Sequence, residues 1–210
     1  MCSAFSVTQG ALQPRLRSLE DAHGVHTRHQ APPATMPLMK RYTTLGLLVA
    51  SLLSQGLAQA ERVPVPGVPV TVDLPTTARQ LSDAQIQKAF PGKSAPQAVF
   101  TTDDQRVVMS FEWRSSKLLP EELSKLDTDF AKVIASKSPK SFTHRLVSIN
   151  GSPWAQFVFV TPGRAGDVRN ELLVTSVAGR TLLITVNATV NDYTKNQKVA
   201  QAITGSLKLQ

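Results

Sequence analysis

The 210-residue chain is poor in the side chains that most catalytic chemistry needs. Its one cysteine is Cys2, and three of its four histidines (His23, His26, His29) also fall before residue 30. Beyond residue 60 there is no thiol and a single imidazole, His144. That excludes a disulfide framework, a thiolate nucleophile and thiolate metal sites from the rest of the chain. No H-E-x-x-H, G-x-S-x-G, P-loop or G-x-G-x-x-G sequence occurs. A nucleophile needs an adjacent base, and His144 sits in Phe142-Thr143-His144-Arg145-Leu146, which reads as an ordinary strand. Paired carboxylates would be the remaining acid–base option. Asp103 and Asp104 are better explained as a turn, where an Asp side chain bonds its own backbone. Glu121/Glu122 and Asp127/Asp129 are expected on the solvated face of a helix, and no acidic spacing matches a calcium loop. The sequence therefore predicts a protein that is not an enzyme and has no cofactor or metal.

Long apolar runs are also missing. The most hydrophobic stretch, residues 45–53, is far short of the roughly 20 residues that a membrane-spanning helix needs. Its flanks have a different pattern. Lys40 and Arg41 precede it, and Ala58-Gln59-Ala60 follows as a small-x-small site. Residues 39–60 thus read as a secretory signal peptide cleaved after Ala60, which predicts export to the periplasm with no integral membrane segment afterwards. Residues 1–38 lack apolar periodicity. They read either as translation begun upstream of Met36 or Met39, or as a disordered extension. His23, His26 and His29 resemble a metal tract but would be discarded with the leader. Residues 61–210 then form one domain, large enough to fold without disulfides. Of 23 Lys/Arg and 15 Asp/Glu, 18 and 13 follow Ala60, leaving a formal charge of about +5.

Periodicity supplies the elements. Residues 68–74 predict a first strand, placed at a sheet edge because Pro69 has no N–H to donate. Ser82 and Gln85 have capping-box spacing and open a helix over 83–90, ended by Pro91-Gly92. Residues 98–102 and 106–114 read as an antiparallel pair, with Val107, Met109, Phe111 and Trp113 on one apolar face. Pro120-Glu121-Glu122 opens a helix to 138 whose stripe is Leu123, Leu126, Phe130, Val133 and Ile134. Strands 142–149 and 154–160 flank Asn150-Gly151, a two-residue hairpin signal. Strands 168–177 and 180–189 flank Ala178-Gly179, and the second is apolar enough to lie centrally with both faces covered. Asn191 or Asp192 caps a last helix ending at Gly205, followed by an apolar patch of Leu207 and Leu209. The pattern predicts an α+β fold, a largely antiparallel sheet covered by helices.

Candidate binding residues are few. Trp113 and Trp154 are expected either to fill the core or, for Trp154 just after a turn, to anchor a protein interface; tryptophan and arginine are favoured there. Arg180 and the glycine-flanked Arg164, in the 161–167 loop, could join them. Lys132, Lys137 and Lys140 cluster near a helix end, where they suit the dipole, and nucleic-acid binding is not expected.

Ile149, Gly151 and Trp154, followed by Gly179, Arg180 and Leu182, form a run that resembles the PsbP-like superfamily. In that family a hydrophobic-x-Gly-x-x-Trp segment starts a central strand and Gly-Arg-x-hydrophobic starts a later one. The resemblance spans residues 68–209 and implies an alpha-beta-alpha sandwich, as in the extrinsic subunit of plant photosystem II and a nuclear-transport factor. It also implies a non-enzymatic accessory, chaperone or inhibitor-like role, with no catalytic residues to carry over. The expected partner is another protein, met at Trp154, the 161–167 loop, Arg164, Arg180 and Trp113; an immunity protein is one form. The alternative is a small apolar ligand held between the 120–138 helix and the sheet by Met109, Phe111, Phe130 and Val133.

Overall fold

The computed structural model describes residues 60–92, 95–102 and 106–210. The expected leader, the first 38 residues and the Asp103-Asp104 turn lie outside them. In chain order the elements are β1 (Ala60–Pro64), β2 (Val70–Pro75), β3 (Arg79–Gln80), α1 (Asp83–Ala89), β4 (Ala98–Thr101) and β5 (Val107–Lys117). A 3-10 turn (Pro120–Glu122) leads into α2 (Leu123–Ala135). Then come β6 (Ser141–Ile149), β7 (Ser152–Thr161), β8 (Val168–Val177), β9 (Arg180–Thr189), α3 (Val190–Ser206) and β10 (Lys208–Leu209).

Seven strands form one antiparallel sheet in the order β3-β4-β5-β9-β8-β7-β6, with β9 in the middle. Nine consecutive residues of β9, Thr181 to Thr189, are buried, so both faces there are covered as its composition predicts. Both long hairpins close where expected. Asn150 and Gly151 have φ of 48° and 81°, and Ala178 and Gly179 have 50° and 71°, the left-handed pairs of a two-residue turn that follows strand twist.

One face of the sheet, here the front, carries the larger core. Phe111, Met109, Leu182, Ile184, Leu173 and Trp154 pack there beneath α3 and a separate three-stranded sheet, β1-β2-β10. The Asn150 amide clamps this layer by donating to the carbonyls of Gly205 and Leu207, at 3.2 and 2.9 Å. The back face has two smaller clusters. Under α2 lie Phe157, Phe159, Leu172 and Val174, met by Leu123, Phe130, Ala131 and Ile134. Under α1 lie Val99 and Val108, met by Leu81, Ile86 and Ala89. The α1 capping box forms as spaced, with Gln85 N donating to Ser82 Oγ and Ser82 N to Gln85 Oε1.

Several expectations need correction. The 68–74 strand is not an edge: β2 begins at Val70, after Pro69, so the missing N–H costs nothing and both sides are paired, with β1 and β10. In β5 the residues from Val107 to Glu112 are buried on both faces, not one, because α1 covers Val108. Val133 is 42% exposed, whereas Asp127 lies on the buried stripe of α2, four residues after Leu123. The last helix starts earlier than expected. Its cap is Thr189, whose hydroxyl accepts from Asp192 N at 3.1 Å and donates to the Asp192 carboxylate at 2.6 Å.

The apolar-ligand cleft is not formed. Met109 and Phe111 face the front core and Phe130 the back one, with the sheet between them. Two depressions among the described residues are elsewhere: a groove of about 870 Å³ lined by Arg62, Thr71, Asn150, Lys208, Leu209 and Gln210, and one of about 220 Å³ beside Val63 and Leu74.

On the back face, between α1 and α2, the centre of the sheet is polar. Ser110 and Thr185 sit directly opposite each other, Asn187 is next along β9, and all three are at most 3% exposed. Ser110 Oγ, Thr185 Oγ1 and Asn187 Oδ1 have no hydrogen-bond partner. A buried hydroxyl without a partner carries its desolvation cost uncompensated, about 1–3 kcal/mol. Thr185→Val is therefore expected to leave the urea midpoint unchanged or raise it, and a lower midpoint at constant slope would show that the hydroxyl has a partner such as water. Trp154→Ala, by contrast, is expected to cost about 3–5 kcal/mol by emptying the front core.

Candidate functional site

Trp154 does not reach the surface. It is 0% exposed, on the front face in a row with Val147, Thr175, Leu182 and Trp113, and its indole is covered by the layer that Asn150 clamps. The expectation of a rim anchor at Trp154 is thus corrected: opening a strand after a turn placed it beneath the small sheet, not beyond it.

Trp113 and Arg180 do come together. The guanidinium of Arg180 lies 3.7 Å from the centre of the Trp113 ring and donates to the carbonyls of Arg114 and Trp113 at 3.1 and 3.2 Å. The β5–β9 register shifts between Trp113 and Lys117, which leaves those carbonyls outside the regular ladder. Gln97 repairs the other side of the same irregularity, its Oε1 accepting from Trp113 N at 2.9 Å. Arg180 therefore holds an interrupted ladder together, and its planar fork suits two acceptors and an aromatic face at once.

Arg164 is exposed, but at the opposite end of the sheet. It lies in the connection between β7 and β8, while Arg180 follows the far end of β8. Ten residues of strand separate those ends by about 33 Å. The four expected residues accordingly do not form one surface. The loop around Arg164 is itself braced, by Lys140 Nζ on Asp167 at 2.7 Å and by Val190 N on the Asp167 carbonyl at 2.8 Å.

Two of the three clustered lysines are paired locally, Lys132 with Asp129 and Lys140 with Asp167. Lys125 pairs with Asp129 as well, and its hydrogen bond holds the Asp129 carboxyl below the usual carboxylate range.

The fold leaves a different region open. Strand β6 ends the seven-stranded sheet, and along its nine residues none is fully buried. On the front face the cover of α3 and the small sheet reaches β6 and β7 only toward the Asn150 turn, where Val147, Ile149 and Trp154 join the front core; farther along, Thr143, Arg145, Gln156 and Val158 are not buried. Here a chain of polar contacts runs inward. Arg145 Nε donates to Gln156 Oε1 at 2.7 Å, Gln156 Nε2 to Glu171 Oε1 at 2.7 Å, and Arg169 to Glu171 Oε2 at 2.9 Å. Arg169 also lies 3.7 Å over the Tyr193 ring. Burial pushes the Tyr193 hydroxyl above its ordinary pKa, opposed by Arg169.

On the back face of β6, His144 Nδ1 is 2.9 Å from Asp127 Oδ2, with its ring stacked near Phe142 and Phe157. Asp127 was expected on a solvated face; instead it is 9% exposed and its other oxygen, Oδ1, has no partner. Its spacing from Leu123 and Phe130 put it on the buried stripe, a signal that its polarity masked. Beyond His144, Leu146 is 51% exposed. Among the described residues no three of His, Cys, Asp and Glu gather as a metal site, and no helix is long and apolar enough to cross a membrane.

Solved structures share this arrangement. Cyanobacterial PsbP (CyanoP) from Synechocystis sp. PCC 6803 superposes with a TM-score of 0.52 at 11% identity, covering 77% of this chain and 99% of that one. The chain has the PsbP-like fold. A protein from Bacteroides thetaiotaomicron VPI-5482 gives 0.51 at 11% identity over 72% of this chain, which spans about half (49%) of the Bacteroides chain. LpqN, involved in cell envelope biogenesis of Mycobacterium tuberculosis, gives 0.46 at 13% identity over 72% of this chain and 91% of that one. No family model matches the sequence, and no curated protein does. Within the PsbP-like sandwich the resemblance motifs have structural work: Gly151 makes a turn, Trp154 fills a core and Arg180 closes a broken ladder.

Arg180→Ala is expected to destabilise the domain by about 1–3 kcal/mol, since it strips two carbonyls and the ring of their partner. Arg180→Lys should restore little of this, because an ammonium cannot span both carbonyls. Urea unfolding of the two variants checks it; full recovery with lysine would mean that charge alone matters.

Proposed function

We propose that this protein is an exported, non-enzymatic accessory protein of the cell envelope that acts by binding another protein along β6 and the open front face beside it. The observation that carries this reading is the uninterrupted nine-residue edge strand, paired on one side only and flanked, away from the Asn150 turn, by a polar face around Arg145 and Gln156. A strand edge presents unpaired N–H and C=O groups to any chain that can align with them, and adding a strand to such an edge is a recurrent way for proteins to bind. The signal-peptide pattern of residues 39–60 supports export. An immunity protein that neutralises a toxin within the envelope is one specific form of this function.

Capture from a periplasmic extract, with mass spectrometry, tests the surface. A stoichiometric partner is expected for the parent protein, reduced at least tenfold by Leu146→Lys, with Arg164→Ala without effect. A partner kept by the β6 variant and lost with Arg164→Ala would move the contact to the 161–167 loop and sink this reading.

A further inference from the structure

The free edge also indicates what kind of segment it accepts. Natural sheets guard their edges with prolines, bulges, very short strands or free lysines. The other end of the large sheet follows that rule, because β3 has only two residues. Strand β6 does not. It is nine residues long, contains no proline and runs against β7 in unbroken register from Ser141↔Val160 to Ile149↔Ser152. Its two charged or titratable side chains are tied inward, His144 to Asp127 and Arg145 to Gln156.

Alternation then assigns two faces to an added strand. Arg145 is on the front face, opposite Gln156, and His144 and Leu146 are on the back, opposite Phe157 and Ala155. Arg145 is held through Nε alone, at the outer end of the Gln156–Glu171–Arg169 chain, so its two terminal nitrogens remain available at the strand edge. A guanidinium pre-positioned in this way fits a carboxylate with two parallel bonds. On the other face the exposed Leu146 offers apolar contact.

A second copy of the chain is a poor occupant. The antiparallel pairing of two β6 strands with full overlap is centred on Arg145 and sets it directly against its counterpart. A two-residue shift still leaves the two guanidinium groups on diagonal positions, about 7–8 Å apart at the backbone. Like charges so placed oppose pairing, and both chains carry net positive charge.

Resting on the reading that β6 binds protein, we infer that its occupant is an extended segment of a different, acidic partner. That segment adds as an eighth strand, with an Asp or Glu on the front face against Arg145 and an apolar residue on the back face against Leu146.

The test uses a random nine-residue peptide library displayed on phage, selected on the purified protein. Selected peptides are expected to alternate acidic with apolar residues, to slow hydrogen exchange of the β6 amides at least tenfold, and to bind Arg145→Glu at least tenfold more weakly. Peptides that protect β6 without acidic enrichment, or that bind Arg145→Glu equally well, would overturn the acidic assignment and leave strand addition standing. Peptides that protect only other elements, no selected binder, or concentration-dependent dimerisation that protects β6 would overturn the assignment together with its strand-addition basis.

Discussion

Everything in this molecule depends on keeping β9 dry on both sides. Nine buried residues in a row on the middle strand of a seven-stranded sheet cannot be covered by a single layer. The front cover is α3 with the β1-β2-β10 sheet, and the back cover is α1 with α2. Because the covers are finite, they are spent at the centre, and the sheet margins are left partly bare. Which margin is bare follows from the connections. The α3 helix leaves β9 directly, so it crosses the front of β9, β5 and β8 and meets the β6 side of the sheet at its C-terminal end, where Asn150 bonds Gly205.

The bare margin is not simply unfinished core. Where the front cover stops, the side chains change from Phe111, Ile184 and Leu173 to Gln156, Glu171 and Arg145 along neighbouring strands. From Arg145 Nε inward each polar group is bonded to the next, which makes this margin compatible with water and also rigid. The back-face seam of Ser110, Thr185 and Asn187 is the opposite case, polar but buried and without partners. Two polar regions on one sheet thus have different standing. One is hydrogen-bonded and open, while the other costs stability and faces inward.

The legible parts of the sequence were those set by local rules. The Asn150-Gly151 and Ala178-Gly179 turns follow from left-handed backbone angles, the α1 cap from side-chain reach, and the central place of β9 from unbroken apolarity. The fold class and the PsbP-like resemblance follow from the same features. The rest depended on long-range partners. Nothing near Pro69 announces that β10, more than 130 residues later, pairs with β2. Asp127 was misread because its polarity outweighed its spacing, although four residues after Leu123 is a buried position. The edge at β6 was invisible, since an edge is defined by the strand that is not there.

The most conspicuous residues of the sequence, Trp154 and Arg180, are bound up with the architecture. Trp154 is enclosed completely, and Arg180 spends its guanidinium on a tryptophan ring and two carbonyls of a broken ladder. A residue so committed cannot be offered to a partner without cost to the fold, so a motif built from such residues identifies the sandwich and says nothing of its use. A binding surface has to be sought among groups that the fold has positioned but not consumed. Arg145 meets both conditions: its Nε is fixed on Gln156, and the rest of its guanidinium belongs to an exposed side chain on a strand edge. Its exposure comes from the same economy that left this part of β6 uncovered, because a cover long enough to protect the edge would also have buried the guanidinium.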